Sequence, residues 1–309
     1  MTVPKLLVFQ DAINPQTIGF LDDAASRPAL ATEPGDPPMT VAPFPSVVQL
    51  NGGAATPDAL APLAFAGHAH FTAMQVRDGR VRGLDLHLAR LRDASNALFG
   101  QALPDDRIRA LLRAALERAP SALSLTATVH ATSGEFVAPR DDEALDVLVR
   151  TAAPSSGPAG PLDLALFEYE RVLPEIKHVG EVAKTYFLRR AIARGFDDAA
   201  FVDRHGRISE GSIWNLAFWT GDTVVWPVAD MLGGVTMRIV RRQLARLGVA
   251  QRDRELTRAD LQSMAGAVVM NSWTPGVAVR RFGTATLPDS SSLVALLHRA
   301  YEQEMPVAP

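Results

Sequence analysis

The sequence predicts a two-domain α+β protein with mixed sheets and a cleft where its halves meet. Three observations carry this. Short β-rich runs alternate with amphipathic stripes of helical spacing along the patterned part of the chain. One uncharged, turn-prone segment, APSSGPAGP at residues 153–161, divides that pattern in two. At 309 residues, with 47% hydrophobic and 21% charged residues, the chain can build a core in each half. The expected organisation is a flexible extension over residues 1–45, an N-terminal α/β domain over 46–152, a linker over 153–162 and a C-terminal α/β domain over 163–309.

The leading segment contains SRPALATEPGDPPMTVAPFP, rich in proline and small residues and without apolar period, so it is expected to be a dispensable, flexible extension. Order is expected from Val47. VVQLNGG reads as a strand into a glycine turn, and TPDALAPLAFAG as a short helix capped by Thr56 ahead of Pro57. In HFTAMQVRDGRVRGL, Asp78-Gly79 between two strand-like runs predicts a hairpin. Asp85 is expected to cap a helix running to Phe99, with Leu88, Leu91, Ser95 and Leu98 on one stripe and Gly100 as its stop. A second amphipathic helix is expected over residues 107–118, then the strands LSLTATVHAT and ALDVLVRTA.

The second half opens with a strand, LDLALFEY, followed by EIKHVG and a helix-like run. AAFVDRHGRISEGSIWNLAFW then supplies strands around a turn at residues 203–206. LGGVTMRIVRRQLARLG predicts a helix starting near Thr236, with Met237, Val240, Leu244 and Leu247 on one stripe and Gly248 ending it. A short helix from about Thr257, the strands GAVVMNSW and VAVRRFG, and a C-terminal helix over residues 291–304 complete the pattern.

The bulk properties narrow the function. A net charge of -3 gives no electrostatic pull toward nucleic acid or anionic membranes. The absence of cysteine excludes disulfides, thiolate metal sites and cysteine nucleophiles. No apolar run reaches the roughly 20 residues of a membrane span, and no basic leader is seen, so a cytoplasmic protein is expected. G-x-G-x-x-G, G-x-x-x-x-G-K-[ST] and G-x-S-x-G are all missing. His68, His70 and His87 raise a metal-hydrolase alternative, but two of them share a hairpin face and no third ligand is indicated, so no metal is expected.

The chemistry gathers between residues 175 and 238. Lys177 follows apolar Ile176 in a strand-to-helix connection, where a buried amine becomes a nucleophile able to form a Schiff base. Most lysines are solvated surface cations, so only its neighbours raise it above that reading. Glu210 is aimed by the 203–206 turn, and a carboxylate beside a pyridine nitrogen keeps that nitrogen protonated. Gly233 and Gly234 open a helix, which lets backbone N–H groups approach an anion. Arg90 shares a helical stripe with Leu86, Ala94 and Ala97, and its planar fork suits a phosphate. An amine, a ring-nitrogen partner and an anion cradle are together what a pyridoxal 5′-phosphate site requires.

Six blocks, in order, carry a family resemblance: GHAHFTAMQVRDGRVRGLDLHLARL, IKHVG, GFDDAAFVDRHGRISEGSIWNLAFW, VVWP, LGGVTMR and VVMNSWTPGV. Over roughly residues 47–285 the chain resembles the class IV aminotransferases, the pyridoxal phosphate enzymes of fold type IV. That family includes branched-chain and D-amino acid aminotransferases and aminodeoxychorismate lyase. The resemblance implies a small N-terminal and a larger C-terminal α/β domain with pyridoxal 5′-phosphate in the cleft, as a homodimer. It makes Lys177 the Schiff-base lysine, Glu210 the ring-nitrogen partner, and Arg90, Val235 and Thr236 the phosphate holders. Residues 271–274 match the loop beside the phosphate and the substrate carboxylate. Ser272 and Trp273 are thereby expected on the cofactor, and Trp273, Thr274, Phe71 and Gln75 on the substrate. Asn215 is implied to support the glutamate turn.

Departures fall on the substrate side. Gln75 stands where branched-chain members carry an arginine, Val182 where many place a tyrosine against the ring oxygen, and Ser272-Trp273 where a glycine-threonine pair is usual. The expected reaction exchanges an amino group between an amino acid (branched-chain, methionine-like or D) and a 2-oxo acid. A β-elimination of the aminodeoxychorismate lyase kind is the alternative within the family, and a non-catalytic binding protein on the same fold the alternative outside it.

Overall fold

Alternating residues build the first sheet. In the computed structural model, which describes residues 44–65, 67–133, 135–138 and 143–309, the N-terminal half comprises β1 (Val48–Leu50), β2 (Gly53–Ala54), α1 (Pro57–Phe65), β3 (Ala69–Arg77), β4 (Arg80–Val81), α2 (Leu84–Phe99), α3 (Asp105–Leu116), β5 (Leu123–Ala131) and β6 (Leu145–Ala152). The strands pair antiparallel in the order β2-β1-β6-β5-β3-β4. Met74 and Val76 of β3, Leu123, Leu125, Ala127 and Val129 of β5, and Val147 and Val149 of β6 pack beneath Leu88 and Leu91 of α2 and Ile108, Leu111 and Ala115 of α3. The two-residue period turns Phe71 and Gln75 to the opposite face of β3.

The local signals act as expected, with one correction. Thr56 Oγ1 accepts the N–H of Ala59 at 3.2 Å at the start of α1. Asp78 and Gly79 both take positive φ (52° and 67°), the conformation a two-residue hairpin demands. Asp85 does not cap α2. The N-cap is Gly83 at φ 65°, with no side-chain cap, and Asp85 instead lies in the first turn and pairs with Arg242 at 2.8 Å. The extension expected over residues 1–45 lies, as far as residue 43, outside the described residues; residues Phe44–Pro309 form one packed unit.

The second half adds β7 (Leu162–Glu168), α4 (Val182–Ala193), β8 (Asp198–Val202), β9 (Ile208–Gly211), β10 (Asn215–Trp219), β11 (Val224–Pro227), α5 (Val235–Arg246), β12 (Gln251–Arg254), a 3-10 turn (Arg258–Ser263), β13 (Gly266–Met270), β14 (Val277–Phe282), β15 (Ala285–Thr286) and α6 (Ser291–Glu302). Its sheet runs β12-β11-β10-β13-β14-β7-β8-β9, with β15 on β14, and mixes parallel pairs (β7–β8, β7–β14, β11–β12) with antiparallel ones. An extra pairing of β9 with β10, Glu210 opposite Asn215, joins the ends of the β10-to-β9 run into a ring. Leu164, Val202, Ile208, Leu216, Phe218, Val269 and Phe282 belong to the buried cluster of its strands. Outside it, α5 and α6 cover Ala217, Trp226, Val268 and Met270, while α4, through Phe187 and Ala191, covers Phe167 and Phe201.

The halves are joined where the site will form. Gly83 lies so close to α5 that a Cβ there would sit 2.5 Å from Ile239 Cδ1, and Leu86, Val235 and Ile239 make a small shared core. The C-terminal tail crosses back, with Val81 and Val307 exchanging N–H···O bonds of 2.8 and 2.9 Å.

Candidate active site

Lys177 is placed by backbone pairing rather than by a helix or strand of its own. The N–H of Phe71 donates to the Lys177 carbonyl at 2.8 Å, and that of Val179 to the Ala69 carbonyl at 3.0 Å, so residues 177–179 run along the edge of β3. Its ammonium lies 4.6 Å from the centre of the Phe71 ring. Burial, with Arg90, Arg171 and Lys184 nearby, lowers its pKa from the ordinary lysine value to about 7, Glu181 opposing. A substantial neutral fraction at physiological pH is what a nucleophilic amine needs.

Glu210 is on β9, only 4% exposed. Its Oε1 accepts from Lys184 Nζ at 2.8 Å, and Arg171 Nη1 lies 3.9 Å away. Arg171, its side chain 3% exposed, also pairs with Glu181 and donates to the Ile176 carbonyl at 2.6 Å, so it fixes the approach to Lys177. The sequence reading missed Arg171, Glu181 and Lys184. Nothing in their spacing marks them, because the partners are brought in by the β7–β8–β9 register and the first turns of α4.

The third group is an anion cradle at the start of α5. Gly234 is its N-cap, no side chain caps it, and the leading N–H groups of Val235 and Thr236 point out of the helix start. Arg90 reaches the same spot from α2, donating to the Gly233 carbonyl at 2.7 Å. Burial and then the charges of Arg238 and Arg171 lower its pKa to about 10, which leaves it cationic at neutral pH. Asn215 also reaches this entrance, its Nδ2 donating to the Leu232 carbonyl at 2.7 Å. A Cβ on Gly234 would fall 1.9 Å from Asn215 Oδ1, so only glycine fits. Because Asn215 is also the register partner of Glu210, the acid and the cradle share one strand pair.

The remaining predicted residues have mixed placements. Trp273 stacks edge-on against Trp214 at 6.0 Å, and its backbone N–H donates to Asn271 Oδ1 at 2.8 Å. Thr274 is buried against Gly157 of the linker, and Ser272 is half-buried beside it. Gln75 donates to Ser124 Oγ at 2.7 Å and accepts the N–H of Ser155 at 3.0 Å, which ties the linker to β3. Val182 is 82% exposed. His70 and His87 are buried on Ser95 and Thr72, with pKa values lowered by burial to about 4 and about 3. Among the described residues no group of metal-ligating side chains forms.

A buried amine, a buried carboxylate and a helix start flanked by arginine are thus linked in one neighbourhood through Arg90, Arg171 and Lys184. The chain belongs to the amino-transferase class IV family, whose model matches residues 69–282. It is thereby a pyridoxal 5′-phosphate-dependent enzyme of that class. Solved structures with the same fold include the branched-chain amino acid aminotransferase of Escherichia coli (18% identity, 82% of this chain and 92% of that one, TM-score 0.71). An aminotransferase from Brucella abortus bound to the cofactor PLP is similar at 23% identity over 78% and 90%, TM-score 0.70. A putative 4-amino-4-deoxychorismate lyase from Legionella pneumophila is similar at 17% over 77% and 92%, TM-score 0.69. No curated protein matches by sequence.

The residues present fit the cofactor. Around the amine Arg90, Arg171 and Lys184 outnumber Glu181, and Arg238 adds to the charge beside Arg90, a surplus of positive charge that a phosphate complements. Oε2 of Glu210 accepts no hydrogen bond among the described residues and is not a sealed orphan atom, so it remains open to a donor.

Proposed function

We propose that the protein is an aminotransferase that moves an amino group between an α-amino acid with an apolar side chain and a 2-oxo acid. The observation that carries this reading is Lys177, an amine held on the Phe71 ring with its pKa lowered to about 7. When bound, pyridoxal phosphate supplies an electron sink for charge developing at the substrate Cα. Lys177 would hold the cofactor, and its amine is the group placed to take a proton from the substrate Cα and return it, as base and then acid. A pKa near the working pH suits both directions of that transfer.

Arg90, with the N–H groups of Val235 and Thr236, would hold the phosphate, and Glu210, whose Oε1 is taken by Lys184, would serve the ring nitrogen. Phe71 and Trp273 offer apolar surface to the substrate. Gln75 is held by Ser124 and Ser155, so no guanidinium at that position receives a carboxylate. Two copies of the chain and a cytoplasmic setting belong to the same reading.

The test is a panel of amino acids offered to the holoenzyme with 2-oxoglutarate or pyruvate as acceptor. Exchange of the amino group, fastest for apolar donors, is expected. Release of pyruvate and an aromatic amine from aminodeoxychorismate, without exchange, would overturn the reading in favour of elimination. Pyridoxal lacks the phosphate, so Arg90→Gln should weaken binding of pyridoxal phosphate at least about tenfold and that of pyridoxal far less.

A further inference from the structure

Glu210 holds a lysine, and it is not Lys177. Lys184, in the first turn of α4, places Nζ 2.8 Å from Glu210 Oε1, with both side chains under a tenth exposed. The same ammonium is 3.9 Å from Glu181 Oε2 and 6.0 Å from the centre of the Phe201 ring. The other charged groups facing the pair are Arg171, in the connection after β7 and 3.9 Å from the same Oε1, and Glu181 ahead of α4; Lys177 and Tyr169 lie within their field. Burial lowers the pKa of Lys184, and Glu210 opposes that fall.

We propose that Lys184 is a positioning residue for the reaction: it occupies Oε1 of Glu210, leaves Oε2 for the cofactor's ring nitrogen, and as a cation beside that nitrogen restrains its protonation. The proposal rests on the reading of Glu210 as the ring-nitrogen partner. A lone carboxylate next to a pyridine favours the protonated ring. An ammonium within hydrogen-bond reach of that carboxylate cancels much of its field at the nitrogen. The ring partner in this protein is therefore an ion pair, and the electron demand of the bound cofactor is moderated rather than maximal. The plainer role for Lys184, neutralising a buried carboxylate for the sake of folding, predicts no such tuning.

The two roles separate by the direction of an observable. Holoenzyme loaded with ring-¹⁵N pyridoxal phosphate reports ring protonation through its nitrogen chemical shift. Glu210→Gln should move that signal toward the unprotonated side. Lys184→Met and Lys184→Gln should move it the opposite way, with the ring's proton affinity rising about tenfold or more. Lys184→Arg should restore the wild-type signal. Lys184→Gln keeps a donor for Oε1 without the charge, so it preserves the test if Lys184→Met does not fold. A Lys184 variant shifting in the same direction as Glu210→Gln, or not at all, would overturn the tuning role while leaving Glu210 in place. No shift in Glu210→Gln itself would instead remove the reading on which the proposal stands.

Discussion

Lys177 and Phe71 meet twice: the N–H of Phe71 donates to the Lys177 carbonyl at 2.8 Å, and the Lys177 ammonium lies 4.6 Å from the Phe71 ring. The amine is thus held through the backbone by the N-terminal half, while the charges around it come from both halves, Arg90 from α2 and Arg171, Lys184 and Glu181 from the second half. With burial and three cations against it, its pKa falls to about 7. The apo-protein should capture pyridoxal phosphate with a rate that climbs as pH rises through about 7, not through the ordinary lysine range. Stopped-flow absorbance across pH 5.5–9 checks this. Lys177→Ala should abolish both the visible band of the bound cofactor and turnover.

The same shift carries a stability consequence of definite sign. The unfolded chain keeps its proton on Lys177 up to the ordinary lysine pKa, while the folded chain gives it up near 7. Between those values the unfolded state binds more protons, so this group makes the apo-protein less stable as pH falls toward 7. Lys177→Met should raise the apo-protein's melting temperature at pH 7.5 and flatten its dependence on pH between 7.5 and 9.5.

Glu210 and Lys184 form a buried pair at 2.8 Å, and breaking one side strands the other. Glu210→Ala should cost about 3–5 kcal/mol in urea unfolding, because the ammonium remains buried without its partner. Adding Lys184→Met to Glu210→Ala should recover a large part of that loss. Additive losses would show that the two residues are not energetically coupled.

Gly234 has no room for a methyl group, since its Cβ would fall 1.9 Å from Asn215 Oδ1. Gly234→Ala should push the amide off the Leu232 carbonyl, destabilise the fold by about 1–3 kcal/mol and weaken pyridoxal phosphate binding. Asn215→Ala combined with Gly234→Ala should relieve the clash and restore part of the stability. Equilibrium dialysis with the cofactor and thermal melting measure the two effects.

Gln75 and Arg77 grip the linker at Ser155, through its N–H at 3.0 Å and its carbonyl at 3.0 Å. Gln75→Ala should speed proteolytic cleavage within residues 153–161 and raise KM more than it lowers kcat. Unchanged cleavage would mean that Gly157 against Thr274 and the packing around it hold the linker without the glutamine.

The elements and the kinds of site residue were legible in the sequence because their signals are local. Apolar period, Asp78-Gly79, Thr56 before Pro57, and Gly-Gly before a helix each act within a few residues, and the structure realises them. Asp85 misled, because an acid near a helix start is equally suited to capping and to the first turn; Gly83 against Ile239 decided between them. β12, QRDR, carries no apolar alternation and exists only because β11 offers it an edge.

What the chain by itself determined is the class of enzyme, and it nominated the amine at 177, the acid at 210 and the cradle at 234–236 as its working parts. Only the tertiary structure decided how they are tuned: that Lys184 and Arg171 share Oε1 of Glu210, and that Asn215 links acid to cradle. It also turned Gln75 toward the linker. The reason is physical: a periodic stripe or a turn is written in neighbouring residues, whereas a buried charge finds its partner only after distant strands have closed into one ring.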